Sequence, residues 1–129
     1  NEINAILDTS GSMGGEFEKV LSYIFQNDVQ NNMIQCDAKI QDVILIKNKK
    51  ELETMKISGL GGTEIQPAID YIASNKILNK LNTIILTDGY TDSLDFSLIK
   101  GKSIILSTAQ KCTITKSNGR LKQFIIDKN

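Results

Sequence analysis

Apolar residues fall into two kinds of run along this chain, and the two kinds alternate. Ile3-Asn4-Ala5-Ile6-Leu7-Asp8 is a short apolar stretch closed by a carboxylate, the pattern of a buried strand. Beyond a glycine-rich turn, Phe17, Val20, Leu21, Ile24 and Phe25 recur at three- and four-residue steps and predict one face of an amphipathic helix. Met33-Ile34-Gln35-Cys36 and Val43-Ile44-Leu45-Ile46 read as two strands, with a bend near Asp37-Ala38-Lys39 and no helix between them. That predicts a hairpin, which puts an antiparallel strand at a sheet edge. The charged stretch from Lys47 to Glu53 predicts a short surface helix.

Gly59-Leu60-Gly61-Gly62-Thr63 is a glycine loop leading into a second helix, whose apolar face is Ile65, Ala68, Ile69, Ile72 and Ala73. Thr63 is placed as its N-cap, Gln66 as the far member of a capping box, and Pro67 fits the first turn. Thr83 to Gly89 and Ser103 to Ser107 are further buried strands. The tail from Cys112 to Asp127 carries a Ser117-Asn118-Gly119 turn signal, closes on Phe124-Ile125-Ile126, and reads as a hairpin with Lys111, Lys116, Arg120 and Lys122 on a solvated face. Strands alternating with helices imply an α/β layer fold around a largely parallel sheet. The pattern shows no repeat and no internal linker, so residues 1–129 are expected to form one domain. The chain opens almost directly on a strand without an initiator Met, which points to a domain excised from a longer polypeptide.

Composition narrows the functions. Fifteen basic residues balance fifteen acidic ones, which argues against nucleic acid or an anionic membrane as the main partner. No apolar run approaches the ~18 residues of a membrane span, and no charged-then-apolar leader is present. Cys36 and Cys112 lack a CxxC or zinc spacing and sit in or beside apolar stretches, so buried free thiols and a cytoplasmic location are expected, with a disulfide as the alternative that a chain of this size does not need. The absence of histidine excludes a Ser-His-Asp triad, a Cys-His pair and an HExxH zinc helix.

Ligands of parallel sheets sit outside the carboxyl ends of the strands. Two predicted strands end in Asp8 and Asp88, and the glycine loop ends in Thr63. Thr9-Ser10-Gly11-Ser12-Met13 follows Asp8 directly, so in an extended turn Asp8, Ser10 and Ser12 can face one centre. Three hydroxyls and two carboxylates suit a hard, six-coordinate cation such as Mg²⁺ or Mn²⁺, and suit Zn²⁺ poorly.

Asp8-Thr9-Ser10-Gly11-Ser12 resembles the DxSxS signature of von Willebrand factor A (VWA) domains. Thr63 after Gly61-Gly62, and Asp88 within Thr87-Asp88-Gly89, look like that family's two later positions of the metal-ion-dependent adhesion site. The resemblance runs from Ile3 to about Ser107. A narrower likeness extends further: Gln35-Cys36-Asp37-Ala38, Gly-Gly-Thr-Glu, Leu-Thr-Asp-Gly-Tyr and Asn118-Gly119-Arg120-Leu121 resemble the bacterial VWA-like domain that follows a metallopeptidase-like domain in one polypeptide. The usual A domain ends in a helix, whereas this chain ends in strand-like residues, as the narrower family does. No metallopeptidase part is present, and a chain without His cannot supply its zinc ligands.

The resemblance implies a Rossmann-like VWA fold with helices on both faces of the sheet, and a binding mechanism rather than an enzyme. Ser10 and Ser12 would coordinate the metal directly; Thr63, Asp8 and Asp88 would do so directly or through water, Asp8 typically through water. The open position would take an Asp or Glu of a protein partner, with Met13, Gly62, Glu64, Tyr90 and Asp92 around it as the contact surface. The resemblance further implies a metallopeptidase-like domain of the same polypeptide and a MoxR-type AAA ATPase as associates.

Plainer readings stand beside these. Thr63 as a helix cap, Asp8 and Asp88 as caps or lysine partners, and Ser10 and Ser12 as turn residues would leave a structural scaffold without metal. An aspartate closing a first strand also suits a metal-dependent phosphohydrolase or phosphotransferase with Asp8 as nucleophile, though Ser10 stands where such enzymes carry a second aspartate. Gly101-Lys102-Ser103 lacks the rest of a P-loop, and Ser10-Gly11-Ser12-Met13-Gly14 lacks that of a nucleophile elbow. Asp88, Asp92 and Asp95 miss the EF-hand order and read as a solvated acidic loop.

Overall fold

Every side chain of Asn4-Ala5-Ile6-Leu7-Asp8 is buried, although successive strand residues point to opposite faces. A strand of that kind needs cover on both sides, the condition under which parallel sheets form. In a computed structural model, which describes the backbone of residues 2–8, 30–36, 40–46 and 65–126 and the side chains of residues 3–8 and 65–126, it is the third strand of a six-stranded sheet. The strands are β1 (Glu2–Asp8), β2 (Gln30–Cys36), β3 (Ile40–Ile46), β4 (Asn82–Thr87), β6 (Ser103–Ser107) and β8 (Leu121–Ile125), in the order β3-β2-β1-β4-β6-β8. β5 (Leu94–Asp95) and β7 (Ile114–Lys116) form a separate two-stranded sheet. The main sheet is parallel except for β3, which runs antiparallel to β2 at one edge. The architecture is therefore α/β, as the alternation predicts, with the expected hairpin and edge strand.

Register places the core. Ile6 lies opposite Ile85, and Ile85 opposite Ile105, so one isoleucine from each of three neighbouring strands points to the same face. All three are fully buried. Helix α1 (Gln66–Ser74) packs on this row through Ala68, Ile69 and Ile72, joined by Ile65 at its start and by Leu94, Phe96 and Ile99 from the segment after β4. Burying an isoleucine side chain contributes about 1.5–3 kcal/mol, so this layer dominates the stability of the described part. On the opposite face Ala5, Leu7 and Leu86 are equally buried.

Two expectations need correction. The start of α1 is not the capping box: Ile65 occupies the N-cap position without a side-chain cap, and Pro67 lies in the first turn. The Gln66 amide turns elsewhere. Its Oε1 accepts the Asp95 N–H at 2.8 Å, and its Nε2 donates to the Asp95 carbonyl at 3.0 Å and to Asp70 Oδ1 at 2.9 Å. Two backbone bonds to β5 tie the helix to the loop after β4, a tertiary gain that local capping does not offer.

The tail is not a hairpin either. Chain reversal at Ser117-Asn118-Gly119 is real, with Gly119 at φ +81 and the Asn118 side chain bonded to the Ile99 and Gly101 carbonyls and to the Arg120 N–H. The two strands it joins pair with different neighbours: β7 lies parallel to β5, and β8 parallel to β6. Asn118 fixes the turn against the loop before β6, which directs β8 onto the main sheet. Lys111, Lys116, Arg120 and Lys122 are exposed as expected. The predicted helix over Phe17–Phe25, the bend at Asp37–Lys39, the surface helix over Lys47–Glu53 and the glycine loop Gly59–Thr63 lie outside the described residues.

Because Ile85 is the middle of the three-strand row, truncation there opens a cavity beneath α1. Ile85→Ala is expected to cost about 2–5 kcal/mol, read as a lowered urea midpoint with an unchanged slope; Ile104→Ala, at a half-exposed position on the other face, should cost far less.

Candidate functional site

Parallel strands bring their carboxyl ends to one edge. β1 ends at Asp8, β4 ends at Thr87 with Asp88 next, and β1 and β4 are hydrogen-bonded neighbours with Leu7 opposite Leu86. The register brings Asp8 and Asp88 to adjacent strand ends, and both are buried. Two of the five expected ligand residues are thus assembled as the motif order predicts. Ser10, Ser12 and Thr63 lie outside the described residues, as do Met13, Gly62 and Glu64 of the expected contact surface. Among the described residues, no three Asp, Glu, Cys or His side chains gather as a metal-binding group.

Asp8 is held by a short relay. The Gly89 N–H donates to Thr87 Oγ1 at 3.1 Å, and the Thr87 hydroxyl donates to Asp8 Oδ2 at 2.8 Å. Thr87 and Asp8 point to the same face of adjacent strands, so the hydroxyl needs no backbone distortion to reach the carboxylate. A hydrogen bond to a charged acceptor is worth about 1.5–3 kcal/mol. Sequence reasoning missed Thr87. The available signal was its register: once β1 and β4 are paired in parallel, the residue before Asp88 must sit beside Asp8.

Asp88 is fixed through its own turn. Its Oδ1 accepts the Tyr90 N–H at 2.9 Å, while its main-chain carbonyl accepts the N–H groups of Ala109 and Gln110, each at 3.1 Å. The loops after β4 and β6 therefore meet backbone to backbone. Gly89 makes this approach feasible: it has φ +95, and a Cβ there would lie 1.7 Å from the Gln110 carbonyl oxygen. The Asp-Gly pair is thus a carboxylate followed by the one residue type that the neighbouring loop admits.

Three further residues complete the surroundings. Tyr90 is 59% exposed, and Asp92 is exposed beside it. Asp92 lines a cleft of about 240 Å³ with Ile65, Gln66, Pro67, Asp70 and Leu94. Cys112 is buried with a free thiol, as expected. Burial pushes that thiol up from its usual range, and the carboxylates of Asp8 and Asp88 push it the same way, against the Thr91 and Ser107 hydroxyls. Cys112 is therefore close enough to feel both aspartates and stays a neutral thiol at pH 7. Nothing in its local sequence signalled this, because the return loop after β6 brings it there. Asp95, by contrast, is turned away from this edge: Ser97 hydrogen bonds hold its carboxyl below the usual range, the Ser97 N–H at 2.8 Å.

Residues 3–116 match the model of a family described as VWA-like domain (DUF2201). The chain belongs to this VWA-like domain family. The VWA-like domain is also similar to an uncharacterised protein of Thermotoga maritima, 34% identical over 98 residues, a stretch that takes in 70% of this chain and 23% of that protein. The chain thus spans less than a quarter of that relative's length. In fold it is similar to the crystal structure of the conserved hypothetical protein BatB from Bacteroides thetaiotaomicron, with a TM-score of 0.58, 16% identity, and coverage of 83% of this chain and 66% of BatB. At that identity the likeness speaks for the fold alone.

Thr87→Val, which keeps shape and removes the donor to buried Asp8, is expected to lower stability by about 1.5–3 kcal/mol at neutral pH. Thr87→Ser should recover most of the loss. Urea unfolding of the three proteins measures the difference.

Proposed function

We propose that this VWA-like domain is a divalent-metal-dependent protein-interaction module, not an enzyme. The ion is Mg²⁺ or Mn²⁺, held by Asp8, Ser10, Ser12, Thr63 and Asp88, and the partner offers an Asp or Glu. The observation that carries this reading is the meeting of buried Asp8 and Asp88 at adjacent strand ends, with Asp8 oriented by Thr87. Two carboxylates at one sheet edge supply anionic oxygen donors of the kind a divalent cation takes. The proposed donors are carboxylate and hydroxyl oxygens, so the set fits a hard cation.

With neutral hydroxyls supplying part of its shell, the ion keeps much of its charge and attracts an incoming carboxylate. Exposed Tyr90 and Asp92 flank the place where such a partner docks, together with Met13, Gly62 and Glu64. A cytoplasmic setting beside a metallopeptidase-like domain of the same polypeptide, and a MoxR-type AAA ATPase as a further associate, complete the proposal. That the matched stretch is 23% of the Thermotoga relative supports a domain working within a larger chain.

The test compares melting temperatures of chelator-treated wild type, Asp8→Asn and Asp88→Asn with and without millimolar Mg²⁺ or Mn²⁺. Asn keeps the acceptor for Thr87, so the fold should survive. A ligand at about ten times its Kd adds about 1.4 kcal/mol to the native state, a rise of a few degrees. That rise is expected in wild type and should vanish in both variants. An equal response in all three overturns the site, and so does Asp8-dependent release of phosphate from p-nitrophenyl phosphate.

A further inference from the structure

The charge on this chain is balanced only in total. Residues 1–95 carry fourteen acidic against eight basic side chains, whereas from Phe96 to Ile126 there are six cations (Lys100, Lys102, Lys111, Lys116, Arg120 and Lys122) and no Asp or Glu. Lys102, Arg120 and Lys122 gather where β6 and β8 begin, around a cleft of about 340 Å³ that they line with Ser103, Ile104 and Leu121. This is the amino end of those strands, the opposite end of the sheet from Asp8 and Asp88.

The same region is an unclosed sheet edge. β8 is the last strand of the main sheet, and among the described residues nothing pairs with its outer side. The Arg120 carbonyl and the Ile126 N–H bond to β6. Backbone groups alternate in direction along a strand, so Lys122 and Phe124 also face β6, while Leu121, Gln123 and Ile125 direct their N–H and C=O groups outward. Native edges are usually short, charged, bulged or covered; β8 is short and carries Lys122, yet Phe124 is 52% exposed, Ile125 51% and Ile104 39%. Ile104, Lys122 and Phe124 share one face, so the edge offers an apolar strip that ends in three cations.

We propose that β8 is a docking edge for an extended, acidic protein segment that adds as a seventh strand. Its backbone pairs with the outward groups of Leu121, Gln123 and Ile125, its apolar side chains cover Ile104 and Phe124, and its carboxylates meet Lys102, Arg120 and Lys122. This is strand addition, in which main-chain bonds supply affinity and alternate side chains supply selectivity. A second copy of the chain fits poorly, because β8 carries no Asp or Glu and antiparallel β8–β8 pairing centred on Gln123 sets Lys122 of each copy opposite Phe124 of the other, which leaves the cations of both unmatched. Nucleic acid would use the cations but leave the outward backbone groups and aliphatic surface unmatched. The proposal does not depend on the metal site.

The probe is a capped nine-residue threonine peptide carrying, at alternate positions so that all share one strand face, two glutamates toward one end and two valines toward the other, made in both orders, titrated into the full 129-residue chain and followed by amide NMR and fluorescence anisotropy in chelator. Binding with a Kd below about 1 mM is expected, with the largest shifts at the amides of Leu121, Gln123 and Ile125. The Lys102→Glu/Lys122→Glu variant, altered only at exposed positions, should weaken it about tenfold. N-methylation of alternate peptide nitrogens should abolish it while leaving charge intact. Equal binding of the N-methylated peptide, or tighter binding of a uridine dodecamer, overturns the proposal. So does a homodimer that the charge-reversal variant dissociates, or no binding at 2 mM peptide.

Discussion

The decisive constraint in this molecule is burial of β1 and β4 on both faces. Asn4 to Asp8 and Ile85 to Asp88 are almost wholly removed from solvent, so these strands offer few places for a polar group except near their ends. Asn4 and Thr83 illustrate the amino end: they are buried there and answer one another, the Asn4 amide donating to the Leu78 carbonyl at 2.8 Å and to Thr83 Oγ1 at 3.2 Å. Parallel pairing sends the opposite ends to a common edge. The placement of Asp8 beside Asp88 is therefore a consequence of how the sheet hides its middle.

That edge is made rigid by backbone, not by long side chains. The Asp88 carbonyl takes two N–H groups from the loop after β6, and the Thr87 carbonyl takes the N–H of Thr108 at 3.1 Å. Gly89 lets the two loops touch, and its N–H orients the Thr87 hydroxyl toward Asp8. A single turn after β4 thus serves three ends: it positions one carboxylate, supports the other through Thr87, and anchors the chain returning from β6. Preorganisation of this kind lowers the entropy lost when a ligand is gathered.

Most of the sheet was legible because a buried parallel strand is a short apolar run with little ambiguity. Ile3–Asp8 and Ser103–Ser107 were visible for that reason, and the absence of a helix between β2 and β3 revealed the antiparallel edge. The failures share a cause. Thr63 and Gln66 satisfied a local rule for a helix start, but Gln66 gains two backbone bonds from Asp95, 29 residues on and invisible to local spacing. The turn at Asn118 looked like a hairpin because turn chemistry fixes where the chain reverses, not which neighbours its strands join. Of the candidate site, the carboxylates were legible from their place at strand ends; Thr87 required the register, and Cys112 the path of a return loop.

Balanced composition also concealed a polarity that the topology spreads out in space. Sheet strands lie about 4.8 Å apart, so β8 stands roughly 14 Å from β1 across β6 and β4. A net charge of zero excludes a partner only when charges of both signs are mixed on every face. Here they are segregated along the chain, and among the described residues Lys102, Arg120 and Lys122 gather where β6 and β8 begin, the opposite end of the strands from Asp8 and Asp88. Zero net charge therefore hides a cationic patch at the start of β6 and β8 that only the topology gathers.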